Sequence, residues 1–232
     1  ESLALVNYRN YVRLDLELPP HVVVLVGANA QGKTNLLEAV HYLAMGSSPL
    51  AGADRQVINW MADDDVLPYA RLEGVVRRAD DQRKIEITLM KGEVDATSGG
   101  RASLRKSIRV NGVNRRVSEL VGSLHVVLFL PQDISLVDGS PGKRRRYLNL
   151  LLSQVDPRYY RALQQYGKVI YQRNHLLKRL RGRGANGDQL NFWDEQLVEH
   201  GAYIMDRRCW LIARFNEIVA DIHPALTGGA ES

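Results

Sequence analysis

The sequence predicts an α/β fold in which a mixed β-sheet lobe at residues 1–130 precedes a helical second lobe at residues 131–232. Three patterns support this division. A β-branched run leads into a glycine-bounded loop and a helix, a middle stretch shows short alternating strands, and helical spacing follows Pro131. A chain of 232 residues is long enough for two small lobes, each with an apolar core.

The first lobe is predicted to begin with two short strands, at residues 3–6 and 12–18, and the second of these alternates leucine with charged residues. Residues 21–26 then form a nearly continuous β-branched run, which is typical of a strand covered on both faces. We therefore expect this run to be central in the sheet. A helix is predicted to begin at Lys33 and to stop at residues 46–49, where glycine, serines and proline follow.

The middle of the chain has the alternation and turn signals of an antiparallel sheet. Three strands are predicted, at residues 71–77, 84–90 and 107–110. Turn-forming residues separate them, for example at residues 98–100, and Asn111-Gly112 predicts a β-hairpin. A further apolar strand is predicted at residues 125–130 and ends at Pro131.

The second lobe is predicted to contain a long helical hairpin. Asp156 and Pro157 have the residue types of an N-cap and a first helical position, and the basic helix that they begin runs to about Leu180. The glycine-rich residues 181–187 then lead into another helix at about residues 191–222.

Positive charge is concentrated in the second lobe. Between Lys143 and Arg183 there are twelve lysines and arginines and one acid, Asp156, whereas the whole chain has a net charge of only +5. A polyanionic partner is one explanation, and a set of solvated helix faces is the other. The single cysteine, Cys209, excludes an internal disulfide framework. The sequence shows neither an apolar run of membrane-spanning length nor a secretory signal, so we expect a cytoplasmic protein without membrane contact.

Residues 27–34 match the phosphate-binding pattern G-x-x-x-x-G-K-[ST], with an apolar strand predicted before them and a helix after. Glycines at this spacing let successive backbone N–H groups point inward, and the helix N-terminus adds partial positive charge. Lys33 is expected to reach the β- and γ-phosphates of ATP, and Thr34 to bind Mg²⁺. The predicted loop contacts are Gly27, Ala28, Asn29, Ala30, Gln31, Gly32, Lys33 and Thr34. An incidental glycine turn is the alternative.

Six blocks of the sequence resemble the RecF family in order and spacing. They lie at residues 5–11, 27–39, 127–133, 136–149, 166–177 and 192–197. The phosphate-binding pattern is common to many ATPases. The Asn-Tyr-Arg-Asn-Tyr block at residues 7–11 and the Gly-Ser-Pro-x-x-Arg-Arg block at residues 139–145 are more particular to this family.

The resemblance implies an SMC-like, ABC-type ATPase head, with ATP and Mg²⁺ held between the two heads of an ATP-dependent homodimer. It places Arg9, Asn10 and Asn35 near the nucleotide, and it gives Gln132 the role of sensing Mg²⁺ and the attacking water beside the catalytic Lys33 and Thr34. The alternative for Arg9, Asn10 and Gln132 is the polarity of an ordinary turn.

The resemblance also implies DNA binding in replication and repair, and loading of recombinase at gaps together with RecO and RecR. The candidate DNA-binding residues are Arg144, Arg145, Arg146, Arg158, Arg161 and Lys168. The family's Ser-Gly-Gln-type signature and acidic strand do not occur before Ser232, so an incomplete hydrolysis site is expected. Two alternatives stay open: a nucleotide- or DNA-binding module without hydrolysis, and an unrelated ABC-type ATPase.

Overall fold

The computed structural model of the chain describes residues 1–64, 68–78, 81–94, 102–180 and 188–228. The chain divides into two compact units, Glu1–Leu130 and Pro131–Ser232. The turn predicted at residues 98–100 lies outside the described residues.

The first unit is built on one antiparallel sheet, which within the described residues has the strand order β2-β1-β3-β4-β5-β6. The strands are β1 (Ser2–Tyr8), β2 (Tyr11–Glu17), β3 (Tyr69–Arg77), β4 (Gln82–Val94), β5 (Ala102–Val110) and β6 (Val113–Asn114). The strands predicted in these regions are therefore confirmed, most with wider bounds. Asn111 and Gly112 join β5 to β6 with φ angles of 51° and 78°, as a tight hairpin turn requires.

Helix α1 (Lys33–Met45) covers one face of this sheet and confirms the predicted helix. Leucines and isoleucines that alternate along the strands point toward it, and Leu36, Tyr42 and Leu43 of the helix are buried among them. Gly74 of β3 allows the close approach, because a Cβ atom there would lie 2.8 Å from Leu43 Cδ1. Each fully buried leucine or isoleucine contributes about 1.5–3 kcal/mol to this packing.

The two apolar strands predicted at residues 21–26 and 125–130 are not strands in the structure, so this prediction is wrong. Val22 and Val26 are 86% and 89% exposed, and Phe129 is 74% exposed. A buried strand needs neighbours that accept and donate its backbone hydrogen bonds, and the described strands all pair with one another in antiparallel fashion. Apolar composition alone does not supply such a neighbour.

Shorter helical segments complete the first unit and begin the second. In the first unit these are 3₁₀ helices at Asp54–Val57 and Trp60–Asp64, and α2 (Val117–Leu120). The second unit begins with a 3₁₀ helix at Pro131–Ile134 and with α3 (Ser135–Asp138).

The second unit continues with α4 (Pro141–Val155), α5 (Pro157–Leu180) and α6 (Asp188–Thr227), and α5 and α6 confirm the predicted hairpin. Asp156 caps α5 as predicted, because its Oδ1 accepts the backbone N–H groups of Arg158 and Tyr159 at 2.9 and 3.0 Å. Leu152, Tyr159 and Ile204 are buried together where the three helices meet. Within the described part of the chain, none of the helices is long and apolar enough to cross a membrane.

Candidate nucleotide-binding site

The loop at residues 27–32 bends through backbone conformations that favour glycine. Gly27, Ala30 and Gly32 have φ angles of 152°, 64° and 100°. At Gly32 a side chain is excluded by its neighbours as well, since a Cβ atom would lie 2.7 Å from the amide of Asn10 and 2.9 Å from the hydroxyl of Tyr11. The second glycine of the pattern is therefore required by local packing as well as by its backbone angles.

Lys33 curls back over the loop from the first turn of α1. Its Nζ donates hydrogen bonds to the carbonyl oxygens of Gly27 and Ala28, at 2.8 and 2.7 Å. Both acceptors are neutral, so these contacts leave the positive charge available to an anion. A phosphate group placed against this loop would receive a charge-assisted hydrogen bond from Lys33.

The N-terminus of α1 also suits an anion. No acidic residue lies in its first turn. The N-cap residue is Gly32, and among the described residues no side chain caps this end of the helix. The first N–H groups of a helix lack intrahelical partners and carry the positive end of the helix dipole. Thr34 is exposed in this first turn. Its neutral hydroxyl suits Mg²⁺, which takes few protein ligands and completes its shell with water and phosphate oxygens.

The turn after β1 supports the loop from the side. Asn10 Nδ2 donates to the Gln31 carbonyl at 3.2 Å, and Asn35 Nδ2 donates to Asn10 Oδ1 at 2.8 Å. The Tyr11 hydroxyl donates to the Gly32 carbonyl at 3.2 Å. The structure thus brings Asn10 and Asn35 to the loop, and it adds Tyr11, which the sequence argument did not select.

Arg9 has a different environment from the one predicted near the phosphates. Its Nε and Nη2 donate to both carboxylate oxygens of Glu38, at 2.8 and 2.6 Å, and its Nη1 donates to the Gln56 carbonyl at 3.0 Å. The hydrogen bond to Glu38 is the largest cause of a raised Arg9 pKa. A nucleotide contact of Arg9 therefore stays a prediction, whereas its contact with α1 is part of the structure.

Glu38 is the centre of a buried polar cluster on α1, where Arg9 and Ser48 contact it. It lies on α1 with 0% of its surface exposed, and the Ser48 hydroxyl donates to it from beyond the helix end. Tyr8 lies nearby, and burial first, with the Glu38 charge second, raises its pKa. Its position in the sequence is a signal that could have identified Glu38. It stands four residues before Tyr42, so the two side chains lie on the same, buried face of the helix.

The other end of α1 is held by a second ion pair. Lys106 of β5 donates to the Gly46 carbonyl at 2.8 Å and lies 2.5 Å from Asp54 Oδ2. Asp54 also accepts the Tyr42 hydroxyl at 2.7 Å. A cation at a helix C-terminus interacts favourably with the helix dipole. Both ends of the helix that carries Lys33 and Thr34 are consequently tied to the surrounding unit.

Gln132 belongs to the second unit. It lies exposed in the 3₁₀ helix at Pro131–Ile134, where its carbonyl accepts the Ser135 hydroxyl at 2.6 Å. A role for its side chain at Mg²⁺ stays a prediction. Within the described residues, no group of three or more histidine, cysteine or acidic side chains is arranged to hold a metal ion.

The candidate DNA-binding residues lie exposed on α4 and α5, in differing environments. Arg144 Nη1 donates to the carbonyls of Leu136 and Gly139, at 3.1 and 3.0 Å, and so holds the end of α3. The Arg158 guanidinium lies 4.2 Å from the centre of the Tyr203 ring. The remaining candidates are Arg145, Arg146, Arg161 and Lys168, all exposed.

Comparisons with known proteins agree with this architecture. The AAA domain family matches residues 2–181. DNA replication and repair protein RecF of Roseiflexus castenholzii is 42% identical over 98% of the chain, and RecF of Halalkalibacterium halodurans is 36% identical over 100%. The chain spans 59% and 58% of these two relatives.

Two solved structures have the same fold. The structure of the recombination mediator protein RecF-ATPrS in the RecFOR pathway has a TM-score of 0.78 and 34% identity, and the match covers 91% of this chain and 53% of that one. The corresponding RecF-ATP structure also has a TM-score of 0.78, with 33% identity over 92% of this chain and 53% of its own. The predicted ATPase-head fold class is therefore confirmed, and the chain belongs to the RecF family.

Proposed function

We propose that the chain binds ATP together with Mg²⁺ at residues 27–34, as the nucleotide-binding part of a bacterial DNA replication and repair ATPase. The observation that carries the proposal is the loop itself. Its backbone bends at Gly27 and Gly32, and Lys33 folds over it without an acidic partner in either of its hydrogen bonds. The ATP-bound structure of RecF supports the choice of nucleotide.

In this proposal Thr34 is the protein ligand to Mg²⁺ and Gln132 senses the ion and the attacking water. The ion would neutralise charge on the β- and γ-phosphates, while Lys33 would place its ammonium beside the same oxygens. Asn10, Tyr11 and Asn35 would act by holding the loop in its binding conformation, since their contacts are with loop and turn atoms. Arg9 would act through Glu38.

For the complete protein we propose ATP-dependent DNA binding in the cytoplasm, with pairing of two heads around ATP. Hydrolysis, recognition of gapped DNA and cooperation with RecO and RecR are further parts of this proposal. The RecFOR pathway in the name of the related structure supports the cooperation with RecO and RecR, and the names of the curated relatives support a role in DNA replication and repair. The exposed basic residues of α4 and α5 are the proposed contact with the DNA phosphates, which attract lysine and arginine irrespective of sequence.

Titration with fluorescent ATP tests the nucleotide part. We expect Mg²⁺-dependent binding to the wild-type chain and a loss of affinity of about ten- to a hundredfold in Lys33→Ala, since a charged hydrogen bond contributes about 1.5–3 kcal/mol. Lys84→Ala is the matched control, because this exposed lysine of the same unit pairs with Glu73 on the sheet. Equal affinity of wild type and a folded Lys33→Ala variant would refute the assignment.

A further inference from the structure

The second unit contains an open groove between α5 and α6 with a volume of about 680 Å³. Its lining is unusual for the seam of a helical hairpin, because glutamine and aromatic side chains predominate over aliphatic ones. The glutamines are Gln164, Gln165, Gln172 and Gln196, and the aromatic residues are Tyr171, Phe192 and Trp193. Among the described residues, Leu163 and Val169 alone contribute aliphatic side chains to this lining.

Gly167 lies in this lining, in the interior of the 24-residue helix α5. A glycine inside a helix costs about 1 kcal/mol relative to alanine. A Cβ atom at Gly167 would meet nothing within 4 Å, so the packing of the described residues does not require glycine here. Its absent side chain leaves the helix backbone open to close approach from the groove.

Two of the three aromatic side chains in the lining are exposed to solvent. Tyr171 is 68% exposed and Phe192 59% exposed. Phe192 packs edge-on against Trp193, with ring centroids 5.1 Å apart, and this contact fixes the orientation of the pair. Exposed rings held in this manner are suited to stack with another flat ring.

The charges around the groove distinguish its two walls. Helix α5 has no acidic residue between Pro157 and Leu180, and Arg161, Gln164 and Lys168 recur along one exposed side at three- and four-residue spacing. The described lining on α6 contains no cation and consists of Phe192, Trp193 and Gln196, and the Gln196 side chain donates to Glu199 Oε2 at 3.5 Å. A ligand with an anionic backbone and hydrogen-bonding rings would therefore place its backbone along α5 and its rings toward α6.

We propose that this groove binds an unpaired base of a single-stranded DNA segment, with its phosphate beside Lys168. The base stacks on Tyr171 and Phe192, and the glutamine amides bind its edge. Bases inside a duplex have their faces stacked on neighbouring pairs and their Watson–Crick edges paired, so they are not free for stacking on these rings. A docked protein helix would call for more aliphatic lining than Leu163 and Val169 provide. The inference rests on the proposed DNA binding of this unit and adds a site for single strands to it.

The experiment compares one duplex with a blunt end and with a thymine tail that contains a single 2-aminopurine. We expect the wild-type chain to bind the tailed duplex more tightly and to lower the 2-aminopurine fluorescence, as stacking does. Phe192→Ala and Tyr171→Ala should each remove roughly tenfold of the tail-dependent affinity, since a stacked base contributes about that much. Tyr171→Phe, which keeps the ring, should retain the gain.

Val198→Ala is the control, because Val198 is an exposed residue of α6 outside the groove lining. Melting curves identify any variant that fails to fold, and Tyr171→Phe then supplies the comparison. Blunt-duplex affinity without a tail-dependent gain or fluorescence change would overturn the groove proposal and leave DNA binding intact. If the wild-type chain binds neither the blunt nor the tailed duplex, the proposed DNA function is refuted instead. A change of oligomeric state in Phe192→Ala, with tail affinity unchanged, would assign the groove to a second copy of the chain and also overturn the proposal.

Discussion

The phosphate loop and the basic helices are suited to bind anions by different physical means. Around the loop, charged side chains are fixed by partners: Arg9 by Glu38, Lys106 by Asp54, and Lys33 by two loop carbonyls. On α4 and α5 the candidate cations are exposed to solvent. A small ligand such as ATP needs a preorganised geometry, whereas an extended polyanion is held by many weak, salt-screened contacts. Substitutions in the two regions should therefore change different measured quantities.

The largest effect is expected at the buried ion pair. Glu38→Ala leaves the Arg9 guanidinium without its carboxylate, and breaking such a pair costs about 3 kcal/mol or more. Urea unfolding should show this loss, and ATP affinity should fall because the turn that carries Asn10 and Tyr11 is released. Asp15→Ala is the control, since Asp15 lies 2.8 Å from Arg13 with both side chains exposed on the same unit. A loss below about 0.5 kcal/mol in Glu38→Ala would show that the pair does not hold the turn.

A pair of glycines separates backbone strain from close packing at the loop. Gly32→Ala should cost more than Gly112→Ala, although both have positive φ, because a Cβ atom at Gly32 meets Asn10 and Tyr11 while Gly112 faces open space. We expect about 1 kcal/mol for the φ angle at each and about 1 kcal/mol more for the contact at Gly32. If the two variants lose equal free energy of unfolding, Asn10 and Tyr11 move away from the new side chain at residue 32 without cost.

Features of the molecule that depend on neighbouring residues could be predicted from the sequence. The ends of α1 and α5 are marked by local signals, namely Gly46 and the pair Asp156 and Pro157. The phosphate loop is equally local. The Arg9–Glu38 contact spans 29 residues and the Lys106–Gly46 contact 60, so no local pattern indicates them.

The incorrect strands have a related cause. Residues 21–26 and 125–130 carry a strong preference for burial, but a strand forms only against another strand, and pairing is a property of two segments. The alternating segments β1 to β5 form antiparallel pairs. Most of these pairs join strands that follow one another in the sequence, and one joins β1 to β3. The composition of a segment thus predicts that the segment favours burial, but it does not predict which other segment will pair with it.

A smaller effect is expected at the cap of α5. Asp156→Ala should cost about 1 kcal/mol, because two backbone N–H groups lose their acceptor. Burial alone would raise the Asp156 pKa, but the backbone of Tyr159, the Tyr203 hydroxyl, the backbone of Arg158 and the Arg207 charge together lower it. The stabilisation by the ionised group is therefore present above the usual aspartate pKa of about 3.9 and is lost as pH falls through the lower folded value.

Urea unfolding of wild type and Asp156→Asn between pH 7 and pH 2.5 measures this dependence. Asparagine still accepts the capping hydrogen bonds and has no charge, so the difference between the two proteins should be largest at neutral pH and vanish in acid. A difference that stays constant over this range would contradict the role of the charge, since it would come from geometry alone.

The smallest effects on stability, and the sharpest test of the basic surface, are expected at the consecutive arginines of α4. Successive residues of a helix point about 100° apart, so all three cannot meet the same DNA phosphates. Arg144 already donates to the carbonyls at the end of α3, and Arg144→Ala should lower the free energy of unfolding by about 1 kcal/mol with little change in the salt dependence of DNA binding.

Arg145→Ala and Arg146→Ala should change the free energy of unfolding by less than about 0.5 kcal/mol. If one of these two arginines contacts a duplex phosphate, its substitution should reduce the slope of the logarithm of the DNA-binding constant against the logarithm of salt concentration by about 0.9. Binding to duplexes of unrelated sequence should weaken equally, because phosphates carry no sequence code. If all three substitutions destabilise the fold and none changes the slope, α4 serves to brace its own unit, and the comparison between a fixed loop and a solvent-facing basic surface would apply to α5 alone.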